Sequence, residues 1–379
     1  MVKLNNLVYI FAFLPFLNFG IPLFNSDTQP FYFLTILFVL MNNFKLLKLY
    51  KFEVFLLFFA LIVAFISIVG GFNVKKSLNL LIVIISIIYF SRSSFDIKLL
   101  RIIISIYCGF FFVWVLFPTI AFQLQSLIIR NINTSVDTTF RGIPLLATEP
   151  GLFSGLGVIL IELFLHKLKG NIKKLDYFLI SVMLLAVILS FSGSSIVFIS
   201  IFIFMRLKIK LHYLIVFSFI LLIFSYYSTE IIELFPQNRL TFFLTILFSG
   251  DFLVFLNDSS LVYRINSVSL SFDFFYDHIF GAIQSNNVEE TLQKIYSEKY
   301  YNPMIGMRPN YHLVSGFGYA LISGGIFTII YYFTLLFKFF SFKGVVYFIV
   351  FTLFSYSLIF PTSLILLIEL SRSKKCVEY

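Results

Sequence analysis

Apolar residues fill this chain in long unbroken runs, and polar residues gather between them. The runs are apolar on every face, which distinguishes them from the striped helices of soluble proteins. They predict helical spans at about 5–24, 30–43, 53–72, 77–91, 99–122, 150–166, 176–191, 195–206, 211–227 and 313–337, with a final stretch, 344–370, divided at Phe360-Pro361. Read as two spans, that stretch gives twelve in all and returns both termini to the cytoplasmic side. Several of these spans fall short of the roughly 20 residues that a bilayer core requires, so ten or eleven are also admissible. The first run follows Lys3 and has no small-residue cleavage site, so it is expected to be a retained span. The whole chain, 1–379, is expected to be a single integral membrane domain with two sizeable outside loops, 123–148 and 228–312.

The interval Ser228–His312 is the most polar part of the chain. It holds 9 of the 18 acids, 5 of the 28 bases and two of the four histidines. It also has internal pattern. Leu261, Ile265, Val268, Phe272 and Phe275 recur at helical spacing, with Arg264, Asn266, Ser267 and Asp273 off the stripe. The run Leu240–Phe248 is too short to span and is expected to lie in the interface or re-enter. The loop is therefore expected to dock on the membrane surface as interfacial helices and to enclose a site near headgroup depth.

Composition removes the soluble alternatives. Of 379 residues, 60% are hydrophobic and 12% charged, with a mean hydropathy of +0.98. Only helices and closed barrels satisfy their backbone in lipid, and the runs lack the alternation of barrel strands. The expected fold is an all-α polytopic membrane protein. The net charge of +10 reads as topology. Lys3 and the clusters at Lys45–Lys51, Arg92–Arg101, Lys167–Lys174, Arg206–Lys210, Lys338–Lys343 and Arg372–Lys375 place 19 of the 28 bases on the cytoplasmic side. The long loop, with five bases against nine acids, is left at −4 on the other side. This sorting removes the case for a nucleic-acid partner. Cys108 and Cys376 form neither a disulfide framework nor a metal spacing.

Four stretches carry candidate chemistry. Phe140-Arg141-Gly142 through Thr148-Glu149-Pro150-Gly151 leads from an outside loop into a span, with Thr148 or Glu149 at the helix cap. It reads either as a cap and an interfacial anchor or as a cation-bearing pocket for a phosphate-linked substrate. Arg308-Pro309-Asn310-Tyr311-His312 closes the long loop. His312 suits an interface, and it also suits proton transfer near neutral pH. Arg264, followed by Asp277-His278-Ile279-Phe280-Gly281, forms the third stretch, and the small-residue hairpin Leu189–Ser195 the fourth. Glu162 and Glu369, near the cytoplasmic ends of apolar runs, are explained by snorkelling. There is no nucleotide-binding loop, no dinucleotide fingerprint and no His/Cys metal spacing.

In their order and topology these stretches resemble the Wzy-type O-antigen polymerases and the related O-antigen ligases. Arg141 to Glu149-Pro150 is similar to the family's arginine, glycine and Glu-Pro entry to a helix, and Leu189–Ser195 to its serine-rich hairpin. Arg264 followed by Gly281 resembles its loop helix and glycine turn. Tyr311-His312 with Gly316, Gly324 and Gly325 resembles the segment that returns to the membrane. The resemblance covers about 130–340. It implies a glycosyltransferase of the bacterial inner membrane that joins oligosaccharide units carried on undecaprenyl diphosphate, without a metal or other cofactor. It also implies contact with membrane lipid and admits a chain-length regulator protein as a partner.

In that reading Arg141, Arg264 and Arg308 clamp the diphosphate leaving group, and His312 or Glu149 takes the acceptor proton. His312 is preferred, because a capped Glu149 would have a lowered pKa. Arg130, Tyr311 and His278 are additional candidates. The alternatives are a ligase that transfers finished polymer to a lipid A core and, in a different class, a flippase or exporter of the same lipid-linked sugars.

Overall fold

The computed structural model describes residues 2–17, 31–43, 48–72, 74–129, 142–190, 193–206, 259–302, 309–311, 313, 315–354 and 360–375. These residues are helical apart from turns and one isolated bridge, Leu17 to Ile129. The helices are α1 Val2–Phe13, α2 Phe31–Asn42, α3 Lys51–Val69, α4 Val74–Arg92, α5 Ile97–Leu116, α6 Pro118–Ile128, α7 Pro150–Leu168, α8 Lys174–Ile188, α9 Gly193–Arg206, α10 Ser259–Asp277, α11 Val288–Lys299, α12 Gly316–Gly324, α13 Ile326–Lys338, α14 Phe342–Phe354 and α15 Pro361–Lys375, with a short 3-10 helix at Gly281–Gln284. They form two compact units. One comprises Met1–Pro15, Pro30–Asp96 and Ser259–Tyr379, and the other Phe16–Gln29 and Ile97–Asp258.

Among the described residues, α3, α5 and α7 are long and apolar enough to cross a membrane, and shorter apolar helices accompany them. The two faces of α3 indicate its solvent. Leu56, Ala60, Val63 and Ser67 are buried, while Phe58, Leu61, Phe65 and Ile68 on the other face are each more than half exposed. Burying a side chain of this size stabilises by about 1.5–3 kcal/mol, so water would penalise this face heavily and lipid would not. Helix α5 repeats the pattern, with Ile103, Tyr107 and Phe111 inside and Ile102, Ile106 and Val115 outside.

In the first unit α3 packs against α4, α12 and α13, and α1 against α2 and α15. One end of this unit collects the charges. Glu53, in the first turn of α3 and fully buried, accepts from Arg92 at 2.7 Å and from the Tyr50 backbone N–H at 2.9 Å. Arg92 also donates to the carbonyls of Ile88 and Lys48. Arg372 pairs with Glu369 at 2.8 Å and donates to the carbonyls of Phe90, Ser91 and Ser93. Lys338 lies 4.8 Å from the centre of the Phe52 ring. Residues that charge sorting assigned to one side of the membrane are thus brought to one end of the unit.

The second unit is built around α7, which is buried nearly all round against α5, α8 and α9. Its charged end has the same chemistry. Arg101 donates to both carboxylate oxygens of buried Asp176, and Arg206 pairs with buried Glu162 at 2.9 Å. Glu162 and Glu369 therefore do not simply snorkel. Each is held by an arginine.

Three expected spans depart from the structure: the 5–24 helix ends at Phe13, before the bridge at Leu17, and two others are broken internally. The 99–122 run divides at Phe117, because Pro118 begins a new helix and the residue before a proline is pushed out of the helical region. The 313–337 run divides at Gly325, whose φ of +54° and ψ of −129° no helix accommodates. The stretch 344–370 does contain two helices, α14 and α15, packed on each other. Span 211–227 and the run Leu240–Phe248 lie outside the described residues.

Because removing one partner of a buried pair strands the other charge, Arg92→Ala should cost about 3 kcal/mol of unfolding free energy. Unfolding titrations in detergent would measure it. Combined with Glu53→Gln, the loss should fall well short of the sum of the two single losses. A single-mutant cost under about 1 kcal/mol would match an exposed pair instead.

Candidate functional site

The first unit holds two of the four stretches singled out in the sequence. Helix α10 ends at Asp277, and His278 closes its last turn. The His278 ring stacks on Phe274 with centroids 4.4 Å apart, and Nδ1 lies 3.2 Å from the Phe274 carbonyl. The chain then turns through Ile279-Phe280 into the 3-10 helix. Here it meets the break between α12 and α13. The Ile326 N–H donates to the Ile279 carbonyl at 2.8 Å, and a Cβ at Gly281 would lie 2.7 Å from the Gly325 nitrogen. Gly281 and Gly325 both have positive φ. Neither the backbone conformation nor the space admits a side chain at either position.

The N-terminus of α12 is fixed on the middle of α10. Ser315 caps α12 by accepting the Gly318 N–H at 3.0 Å, and its own N–H donates to the Ser267 hydroxyl at 3.0 Å. Gly318 lies against Ser271, where a Cβ would overlap the hydroxyl. Arg264 sits half-buried on α10, one turn before Ser267. Behind these contacts lies a small core of Phe72, Val262, Leu270, Phe274, Leu292, Tyr296, Leu313 and Ile322. It gives the loop helices a hydrophobic centre of their own.

Helix α11 holds the segment that precedes α12. Gln293 uses both ends of its amide: Nε2 donates to the Pro309 carbonyl at 2.9 Å, and Oε1 accepts the Tyr311 N–H at 3.1 Å. Burial raises the Tyr311 phenol to about 12, so it stays protonated at neutral pH. Helix α11 is clasped in turn to α10. Asp273 accepts from Lys299 at 2.9 Å and from the Tyr300 hydroxyl at 2.8 Å. Partial burial raises the Asp273 pKa, but the hydrogen bonds from Lys299 and Tyr300 outweigh it and hold the carboxyl below its ordinary range. The hydrogen bond to Asp273 raises Lys299 in the opposite sense.

The second unit joins the other two stretches. Gly142, with φ +78°, rests directly on the backbone of Leu189 and Ser190, and the Ile143 N–H donates to the Leu189 carbonyl at 3.2 Å. A tight turn follows, closed by the Ala147 N–H on the Pro144 carbonyl, with buried Leu145 at φ +47°. The side chain of Gln125, buried on α6, donates to the Ala147 carbonyl at 2.9 Å. Glu149 occupies the N-cap position of α7, with Pro150 at the first helical position, and its side chain does not cap the helix.

Of the predicted site residues, Arg264, His278 and Tyr311 are in the first unit and Glu149 is in the second. Arg130, Arg141, Arg308 and His312 lie outside the described residues. His278 is engaged with its own helix. Gln293 and Gln125 were missed, because a polar residue on an amphipathic helix carries no sign of the distant carbonyl it will meet.

The glycine contact can be separated from glycine strain. Gly71, at φ +64°, has open space around its Cβ position, so Gly71→Ala should cost only the left-handed penalty of about 1–2 kcal/mol. Gly281→Ala adds overlap with the Gly325 backbone and should cost distinctly more, read by thermal unfolding in detergent. The Asp273 clasp has a defined pH window. Its contribution is fully present above the unfolded carboxyl value of about 3.9 and is lost as pH falls through the lower folded value. The raised Lys299 contributes below about 10.4 and is lost as pH rises through its folded value. Hydrogen exchange of α11 should therefore accelerate at both extremes, and Asp273→Asn should remove the acid limb.

Comparison of the chain with protein-family models, with characterised proteins and with solved structures finds no match.

Proposed function

We propose that this chain is a membrane-embedded glycosyltransferase of the bacterial inner membrane that polymerises oligosaccharide repeat units carried on undecaprenyl diphosphate. One observation carries the reading. The loop helix with Arg264, the glycine turn at Gly281 and the segment from Tyr311 to Gly325 are separate in sequence, yet they pack as one body. That body sits at the end of α3 away from the Glu53–Arg92 pair, since Gly70 abuts Ala282. With the Glu53–Arg92 end taken as cytoplasmic, Arg264 and Tyr311 would face the outer side, where a flipped lipid-linked sugar would be presented.

The chemistry follows from the groups. As the bond from sugar to diphosphate breaks, negative charge grows on the phosphate oxygens. Arg264, with Arg141 and Arg308 as its expected companions, offers forked donors to that charge where water is scarce. The acceptor hydroxyl must lose a proton as it attacks, and His312 or Glu149 is the proposed base. Glu149 stands at a helix N-terminus, a position that favours a carboxylate electrostatically and leaves less room there for the diphosphate.

The test is complementation of a null strain, with surface glycan resolved by length. Arg264→Ala and His312→Ala should each abolish chains beyond a single repeat unit, while the protein still accumulates in the membrane. A normal ladder from Arg264→Ala would overturn the diphosphate role. A null strain that retains long polymer on the carrier lipid would indicate a ligase, and one that accumulates units on the cytoplasmic face would indicate a flippase.

A further inference from the structure

Helix α10 is apolar on two faces, and among the described residues only one of them is buried. Val262, Leu270 and Phe274, with Ser267 and Ser271, are buried against α11 and α12. The stripe legible in the sequence is the other face. Phe272 is 46% exposed and Tyr276 84%. Beyond the helix end the same surface continues through Ile279, Phe280 and Ile283, each between 43% and 49% exposed. Phe272, Asp273, Phe275, Tyr276 and Ile279 line a shallow open groove along it. By contrast, α11 turns Glu289, Glu290, Lys294 and Glu298 outward.

We infer that the segment from Phe272 to Ile283 is a membrane-interface anchor, seated at the boundary between headgroups and acyl chains. The occupant is argued from continuity. Gly70, immediately after α3, lies so close to Ala282 that a Cβ would stand 2.6 Å from its carbonyl carbon. The 3-10 helix therefore lies directly beyond the last turn of α3, where Ile68 and Val69 are exposed. Ile279, Phe280 and Ile283 flank Ala282 in this turn and are exposed, as are Ile68 and Val69 at the end of α3. Phe280 also approaches Phe327 of α13, with ring centroids 6.2 Å apart. An apolar, aromatic surface at the end of a spanning helix is where amphipathic rings settle. Asp273 in the groove is paired with Lys299, and Asp277 is acidic, so the charges beside the groove carry no net positive charge. The anchor therefore works by apolar insertion, and anionic lipid does not strengthen it. The inference rests on the membrane reading of α3 and not on the enzyme proposal.

Site-directed spin labelling of the full-length protein in lipid nanodiscs tests it. In a background with Cys108→Ala and Cys376→Ser, one label is attached after Tyr276→Cys, one after Ile283→Cys and one after Glu298→Cys. Collision with oxygen, which concentrates in lipid, is compared with collision with a water-soluble nickel chelate. The ratio of oxygen to nickel collisions should be several-fold higher at 276 and 283 than at 298, and equal in phosphatidylcholine and phosphatidylglycerol discs. Nickel access at 276 matching that at 298 would place the face in water and overturn the anchor. A label at 276 reached by neither reagent would mean that another part of the protein covers the face, and would also overturn it. As a second readout, Phe280→Trp in a Trp114→Phe background should be quenched by lipids brominated near the headgroup. Absence of quenching would count against insertion.

Discussion

A helix that breaks inside an apolar body exposes backbone N–H and C=O groups that lipid cannot satisfy. The rest of the first unit depends on how that demand is met at Gly325. The Ile326 N–H, released by the break, donates to the Ile279 carbonyl of the loop turn. The Thr328 hydroxyl reaches back to the Ala320 carbonyl at 2.6 Å. The break therefore requires the loop, and the loop's position is set by the break. Glycine at 281 and 325 lets the two backbones meet with no side chain between them. This contact brings α10, with Arg264, and the chain entering α12 into one body, which a docked but independent loop would not achieve.

The opposite ends of both units are closed by a different device. Four arginines meet four largely buried acids: Arg92 with Glu53, Arg101 with Asp176, Arg206 with Glu162 and Arg372 with Glu369. Such pairs contribute little net stability once desolvation is counted, but a wrong pairing leaves a bare charge in an apolar setting. They act chiefly on which helix ends come together. In a chain this uniformly apolar, Leu against Phe discriminates poorly among helix neighbours, and charges at helix ends discriminate well. The described helices of 259–302 are ordered by a small core that they share with Phe72, Leu313 and Ile322.

Within each unit taken by itself, charges pair at one end, and elsewhere polar side chains hold backbone. At the paired ends Arg92, Arg101, Arg206 and Arg372 are each held by an acid. Elsewhere Gln293 holds the approach to α12, Gln125 the turn before Glu149 and Ser267 the cap of α12. Rigid support of backbone on either side of candidate residues is what positioning of a reacting group requires. The Asp273 clasp adds a link between the loop helices that strong acid would open.

The sequence by itself determined the helical membrane class, the approximate limits of α2, α3, α4, α7 and α9, and the gathering of basic clusters at common ends. These follow from local hydropathy and from charge sorting, which need no knowledge of neighbours. The break at Pro118 is also written in the chain, through the restriction a proline places on the residue before it. The tertiary structure decided the rest. It chose which face of α10 turns inward, since both faces are apolar and only packing against α12 distinguishes the one with serines. It broke the helix at Gly325, since a glycine inside a helix is tolerated until another backbone occupies its Cβ position. It also gave each buried acid its arginine, since a pairing between residues far apart in sequence exists only once the helices that carry them are side by side.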